Sequence, residues 1–118
     1  MRLAAFALAL MPVMAGAQDN AALGTGAILR GLEKVSGDIV DMTLEPGGQA
    51  KIGPLTVELG ECRYPQGDPA ADAFAFLTIR DAAAPAPIFS GWMFASSPAL
   101  NALDHPRFDV WVLRCKTD

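Results

Sequence analysis

The chain reads as an all-β domain, a small sandwich or closed barrel of six or seven strands with one short helix near residues 98–104. Three observations carry that reading. Apolar and polar residues alternate with a period of two in several short stretches, the signature of strands with one wet face. Gly and Pro clusters separate those stretches. Only one segment, after Ser97-Pro98, switches to helical spacing. The length of 118 residues fits a single domain.

The first residues are not read as part of that domain. Met1-Arg2 gives a positive start, Leu3 to Met14 is apolar, and Ala15-Gly16-Ala17 has the small-x-small form of a signal-peptidase site. The expectation is a signal peptide over residues 1–17, cleaved after Ala17, and a periplasmic address. The apolar run contains Pro12 and is about 12 residues long, short of the roughly 20 that a membrane span needs. The mature chain is therefore expected to lack a transmembrane segment, and no cysteine marks a lipidation point. Residues 18–26 are small and polar and read as a flexible lead-in, with a single β domain over residues 27–118.

Along the domain, Ala27 to Lys34 is a weak first strand. Val40, Met42 and Leu44 alternate with Asp41, Thr43 and Glu45, which makes a one-sided strand. Pro46-Gly47-Gly48 is a turn, and Ala50 to Ile52 reads as the return strand of that hairpin. After Gly53-Pro54, Leu55, Val57 and Leu59 alternate with Thr56 and Glu58 in a strand that runs to Cys62. Arg63 to Asp72 reads as an exposed loop. Ala73 to Arg80 is apolar on both faces, which places it centrally in its sheet, and Asp81 to Pro87 reads as an extended Ala-Pro linker. Ile88 to Phe94 is a strand. Ser97 then caps a helix with Pro98 in its first turn, ended by Asp104-His105-Pro106. Phe108 to Cys115 is the last strand.

Nine basic residues stand against thirteen acidic ones, a net charge of −4, and the basic ones are scattered singly. Nucleic acid and anionic headgroups call for clustered Lys and Arg, so neither is expected as a partner. The two cysteines, Cys62 and Cys115, read as a disulfide in an exported chain. It closes a loop of roughly 50 residues and is worth roughly 4 kcal/mol. Two distant cysteines and one histidine are too few for a metal site, and no metal or cofactor is expected.

The stretch Phe89-Ser90-Gly91-Trp92-Met93-Phe94-Ala95-Ser96-Ser97-Pro98-Ala99-Leu100-Asn101-Ala102-Leu103-Asp104-His105-Pro106, followed by Phe108-Asp109-Val110-Trp111, concentrates the residues that can do chemistry or binding. Ser90, Ser96, Ser97, His105, Asp104 and Asp109 include the residue types of a hydrolytic triad, but Gly-x-Ser-x-Gly is absent. Helix capping by Ser97 and a proline turn filled by His105 account for them better. Trp92, Phe94, Phe108 and Trp111 either form an aromatic binding platform or build the core, with the core favoured for Phe108 and for most of the four.

The same stretch resembles the signature of an uncharacterised family of exported Gram-negative proteins, domain of unknown function 2155. Leu29-Arg30-Gly31-Leu32-Glu33-Lys34, Gly53-Pro54-Leu55 and the two cysteines extend the likeness. The resemblance implies export and a one-domain build, and brings no activity with it. The leading expectation is a non-enzymatic module that binds a periplasmic or membrane-complex protein through the connection from Phe94 to Arg107. Its candidate binding residues are Trp92, Ser96, Ser97, Asn101, His105, Asp109 and Trp111, and no catalytic residue is assigned. A small-ligand or carbohydrate binder using Trp92 or Trp111 is the alternative, and a hydrolase around Ser96 and His105 the third reading.

Overall fold

A computed structural model describes residues 21–118; the expected signal peptide lies outside them. Among the described residues, eight strands form two antiparallel sheets. They are β1 (Ala21–Leu23), β2 (Gly26–Glu33), β3 (Ile39–Leu44), β4 (Gln49–Ile52), β5 (Leu55–Pro65), β6 (Phe74–Asp81), β7 (Phe89–Phe94) and β8 (Phe108–Lys116). One sheet runs β1-β5-β6-β7 with β4 also on β5, and the other runs β3-β2-β8. The fold is a sandwich and not a closed barrel, with one strand more than the sequence predicts.

The inner faces follow the predicted alternation. Leu55, Val57 and Leu59 on β5, Ala75, Leu77 and Ile79 on β6, and Val110 and Val112 on β8 are all buried. As expected, β6 is central, between β5 and β7. Phe74 and Phe76 point outward, where they meet Phe94 and Trp92 edge-on at centroid distances of 5.8 and 5.4 Å. The weak first strand is in fact the centre of its sheet, with Ala27, Leu29 and Gly31 inward. Gly31 belongs there because a Cβ would stand 2.6 Å from Ile52 Cδ1.

Five local readings need correction. Ala21–Leu23, within the expected lead-in, pairs with Arg63 to Pro65 as β1, and this pairing also carries β5 past Cys62 into the expected loop. The strand Ala50 to Ile52 does not return on β3. It pairs with β5 across the Gly53-Pro54 turn, while β3 lies in the other sheet. Val40 lies on the inner side of β3 but is 41% exposed, since it stands at the open end of the sandwich. The Ala-Pro linker bends: Asp81 accepts the Ala83 N–H with its carboxylate and the Ala84 N–H with its carbonyl. The helix shrinks to a single 3-10 turn, Pro98–Leu100, with no side-chain cap from Ser97. None of its residues is buried, and a short helix with no packed face gains too little to persist in water.

Cys62 on β5 and Cys115 on β8 are bonded, and the bridge joins the two sheets. No helix among the described residues is long and apolar enough to cross a membrane.

Candidate functional site

The segment 95–107 carries the chain from β7 in one sheet to β8 in the other. Leu103, 5% exposed, inserts into the core and pins its middle. At its start, Asp72 accepts the Ser96 hydroxyl at 2.7 Å and the N–H groups of Ser96 and Ala73 at 2.9 and 2.8 Å. Burial pushes this carboxyl up, but the Ser96 hydroxyl and the two N–H groups prevail and hold it below the usual aspartate range.

Asn101 donates from Nδ2 to the Trp92 carbonyl at 2.8 Å, on the edge of β7 that faces away from β6. The same nitrogen would lie 2.9 Å from a Cβ on Gly91, so the glycine makes room for the amide. At the far end, His105 Nδ1 accepts the N–H groups of Arg107 and Phe108 at 3.0 and 3.2 Å. An accepting Nδ1 leaves the neutral ring's proton on Nε2, which lies 3.6 Å from Asp81 Oδ2. Arg107 donates to Glu33 at 3.0 and 2.8 Å. Arg107 and then the Ser36 hydroxyl draw the Glu33 carboxyl below its usual range.

The predicted residues thus separate. Ser96 is engaged by Asp72 and His105 by Asp81 and backbone, and no serine–histidine hydrogen bond exists among the described residues. Ser97 is exposed. Trp92 is half-buried on the outer face of the five-stranded sheet. Trp111 is half-buried on the outer face of the other, paired in register with Arg30, whose guanidinium clasps Asp41 at 2.7 and 3.0 Å. Phe108 is core, 5% exposed. A single aromatic platform therefore does not form.

What the segment does build is a surface cavity of about 250 Å³ lined by Pro98, Ala99, Ala102, Asp109, Val110 and Trp111. Leu100, beside it in the same turn, is 71% exposed. Asp109 and Trp111 are the two predicted binding residues that meet here. Sequence reasoning missed Asp72 and Asp81, the partners of Ser96 and His105. Each lies 24 residues from its own partner, in no local pattern that a motif could report. No cluster of His, Cys, Asp and Glu fit to hold a metal occurs among the described residues.

The model of a family described as an uncharacterized protein conserved in bacteria (DUF2155) matches residues 27–115. No curated protein and no solved structure matches the chain. The match runs from the first residues of β2 to Cys115 on β8, and the chain belongs to this family.

Proposed function

We propose that this member of an uncharacterised bacterial family is an exported, non-enzymatic module that binds a protein of the cell envelope. The contact surface in this reading is the crossing segment around Leu100 and Trp111. The observation that carries it is Leu100, 71% exposed on a turn that no buried residue requires, beside the Trp111 cavity. An exposed apolar side chain on the turn whose Pro98 and Ala99 wall the cavity of a half-buried tryptophan is the composition of an interface anchor. The inter-sheet disulfide supports export, since such bonds persist in oxidising compartments, as does the leader pattern with cleavage after Ala17.

The test is crosslinked affinity purification from native envelopes, with Leu100→Ser and Trp111→Ala compared with the parent chain. A stoichiometric partner is expected to be captured by the parent and to bind folded Leu100→Ser at least ~10-fold more weakly. Equal capture by both variants refutes the surface. Mass spectrometry of the periplasmic protein checks the mature N-terminus at Gln18.

A second reading has its own observation. Trp111 lines its cavity together with Asp109, whose carboxylate accepts the Val110 N–H at 2.9 Å, and an apolar ring beside a polar residue is how small-ligand sites orient their cargo. Binding of a sugar on an array, lost in Trp111→Ala, would favour a carbohydrate binder over a protein-binding module. The hydrolase reading draws no support from the geometry of Ser96 and His105.

A further inference from the structure

The edges of the two sheets are guarded unequally. On β7 the Trp92 carbonyl is occupied by Asn101. Against β8 lies the crossing segment, with Pro98, Ala99 and Ala102 around Val110 and Trp111. The strands β1 and β4 are short, and β4 carries the exposed Lys51. Natural sheets protect their edges with such devices, because an open edge is a template for another strand.

The six residues of β3 have none of them beyond a single charge, Asp41, which Arg30 engages. Among the described residues β3 pairs only with β2, in a register without shifts, and its sequence holds no proline and no lysine. The Asp38 carbonyl takes the Glu33 N–H at 2.9 Å. By the alternation of an antiparallel ladder, Ile39, Asp41 and Thr43 then turn their N–H and C=O groups away from β2. Ile39 is 59% and Val40 41% exposed, and nearby Val35 is 79% exposed. At the same end, Ile39, Val40, Ile52, Pro54 and Phe108 line a cavity of about 270 Å³.

We propose that the free edge of β3 docks an extended peptide strand with basic flanks, which extends the three-stranded sheet and sets an aliphatic side chain beside Val40 at this cavity. Charge selects the occupant. The ends of the strand carry Asp38 and Glu45, while Arg30 is engaged by Asp41 of the strand itself and Arg107 by Glu33. A second copy of this chain is the wrong partner. Antiparallel self-pairing that joins the outward Ile39 of one copy to Thr43 of the other sets Asp41 directly opposite Asp41, and like charges opposite each other destabilise a sheet. Main-chain bonds supply the affinity in this mode and the cavity supplies the selectivity.

This site is separate from the Leu100 and Trp111 surface, and Leu100→Ser is the control that keeps the two distinguishable. The probe is a synthetic Lys-Val-Thr-Val-Thr-Val-Lys peptide, compared with its glutamate-flanked counterpart in an NMR titration of the whole protein. Saturable shifts are expected at the amides of Ile39, Asp41 and Thr43, unchanged in Leu100→Ser. Binding is expected to be at least ~10-fold weaker for the acidic peptide and for Thr43→Pro, which removes an outward N–H and leaves the β2 ladder intact. Should Thr43→Pro not fold, Val40→Lys at the exposed position replaces it with the same expectation. Shifts centred elsewhere, no saturation, equal binding of both peptides, undiminished binding by a folded edge variant, or self-association through β3 would each overturn the proposal.

Discussion

Removing the Cys62–Cys115 bond tests how the two sheets are held together. The sheets share no strand ladder, and the bridge crosses between them through two cysteines that are 0% and 5% exposed. Next to it, the link between β1 and β2 is tied to both sheets. Gly24 N–H donates to the Cys62 carbonyl at 2.7 Å and Thr25 N–H to the Lys116 carbonyl at 2.8 Å. Gly24 fits because a Cβ there would stand 2.8 Å from the Lys116 oxygen and 3.0 Å from Cys115 Cβ. The bridged residues are 53 apart in sequence, and a closed loop of that size restricts the unfolded chain by about 4 kcal/mol. A small domain has only about 5–15 kcal/mol in total. Guanidinium unfolding of the oxidised protein and of the Cys62→Ala/Cys115→Ala double variant measures the difference directly. A loss near 4 kcal/mol is expected, together with faster exchange of the Gly24 and Thr25 amides. A loss below about 1 kcal/mol with unchanged exchange would refute the reasoning, since loop entropy alone predicts several times that.

Two further perturbations follow from the same structure. Gly53 sits at φ +57, where a Cβ would come within 2.5 Å of Phe108 Cζ. Gly53→Ala combines backbone strain with overpacking against a buried ring, and thermal unfolding is expected to show a loss of about 3 kcal/mol. Ser96→Ala removes the hydroxyl held by Asp72 and should cost about 1 kcal/mol. Because Asp72 is held below its ordinary range in the folded state, its contribution is present above the unfolded aspartate pKa of about 4 and is lost as pH falls through the folded value. The stability difference between parent and Ser96→Ala, measured by chemical unfolding against pH, should therefore shrink below about pH 4; a difference that grows on acidification would contradict the assignment.

The sandwich was legible where side chains alternate strongly. Leu55, Val57 and Leu59 announce β5, and the two apolar faces of Phe74 to Ile79 announce a central strand. Neighbour relations were not legible, because alternation reports which way a side chain points and not which strand lies beside it. Hence β4 was paired to the wrong partner: Pro46-Gly47-Gly48 reads as a hairpin turn, yet Gly47 and Gly48 bond to Leu59 of β5 and lead the chain from one sheet into the other. Ala21–Leu23 escaped notice because its strand character comes wholly from its pairing with Arg63 to Pro65. The candidate site shows the same limit.

Ser96, Asn101 and His105 stand out in sequence as groups able to react or bind, and in the fold each spends its polar atoms on Asp72, on the Trp92 carbonyl, or on the turn into β8. A polar side chain in a long crossing connection must satisfy backbone that no ladder reaches, so the richest stretch of the sequence is mostly the scaffold of the crossing. The surfaces with unspent binding capacity are those where an apolar side chain stays out against its own transfer free energy. Leu100 and Trp111 mark one of them, and Ile39 and Val40 the other. An exposed leucine or isoleucine forgoes burial worth about 2 kcal/mol, and among the described residues neither Leu100 nor Ile39 is packed away, so a partner at either proposed surface would recover that free energy.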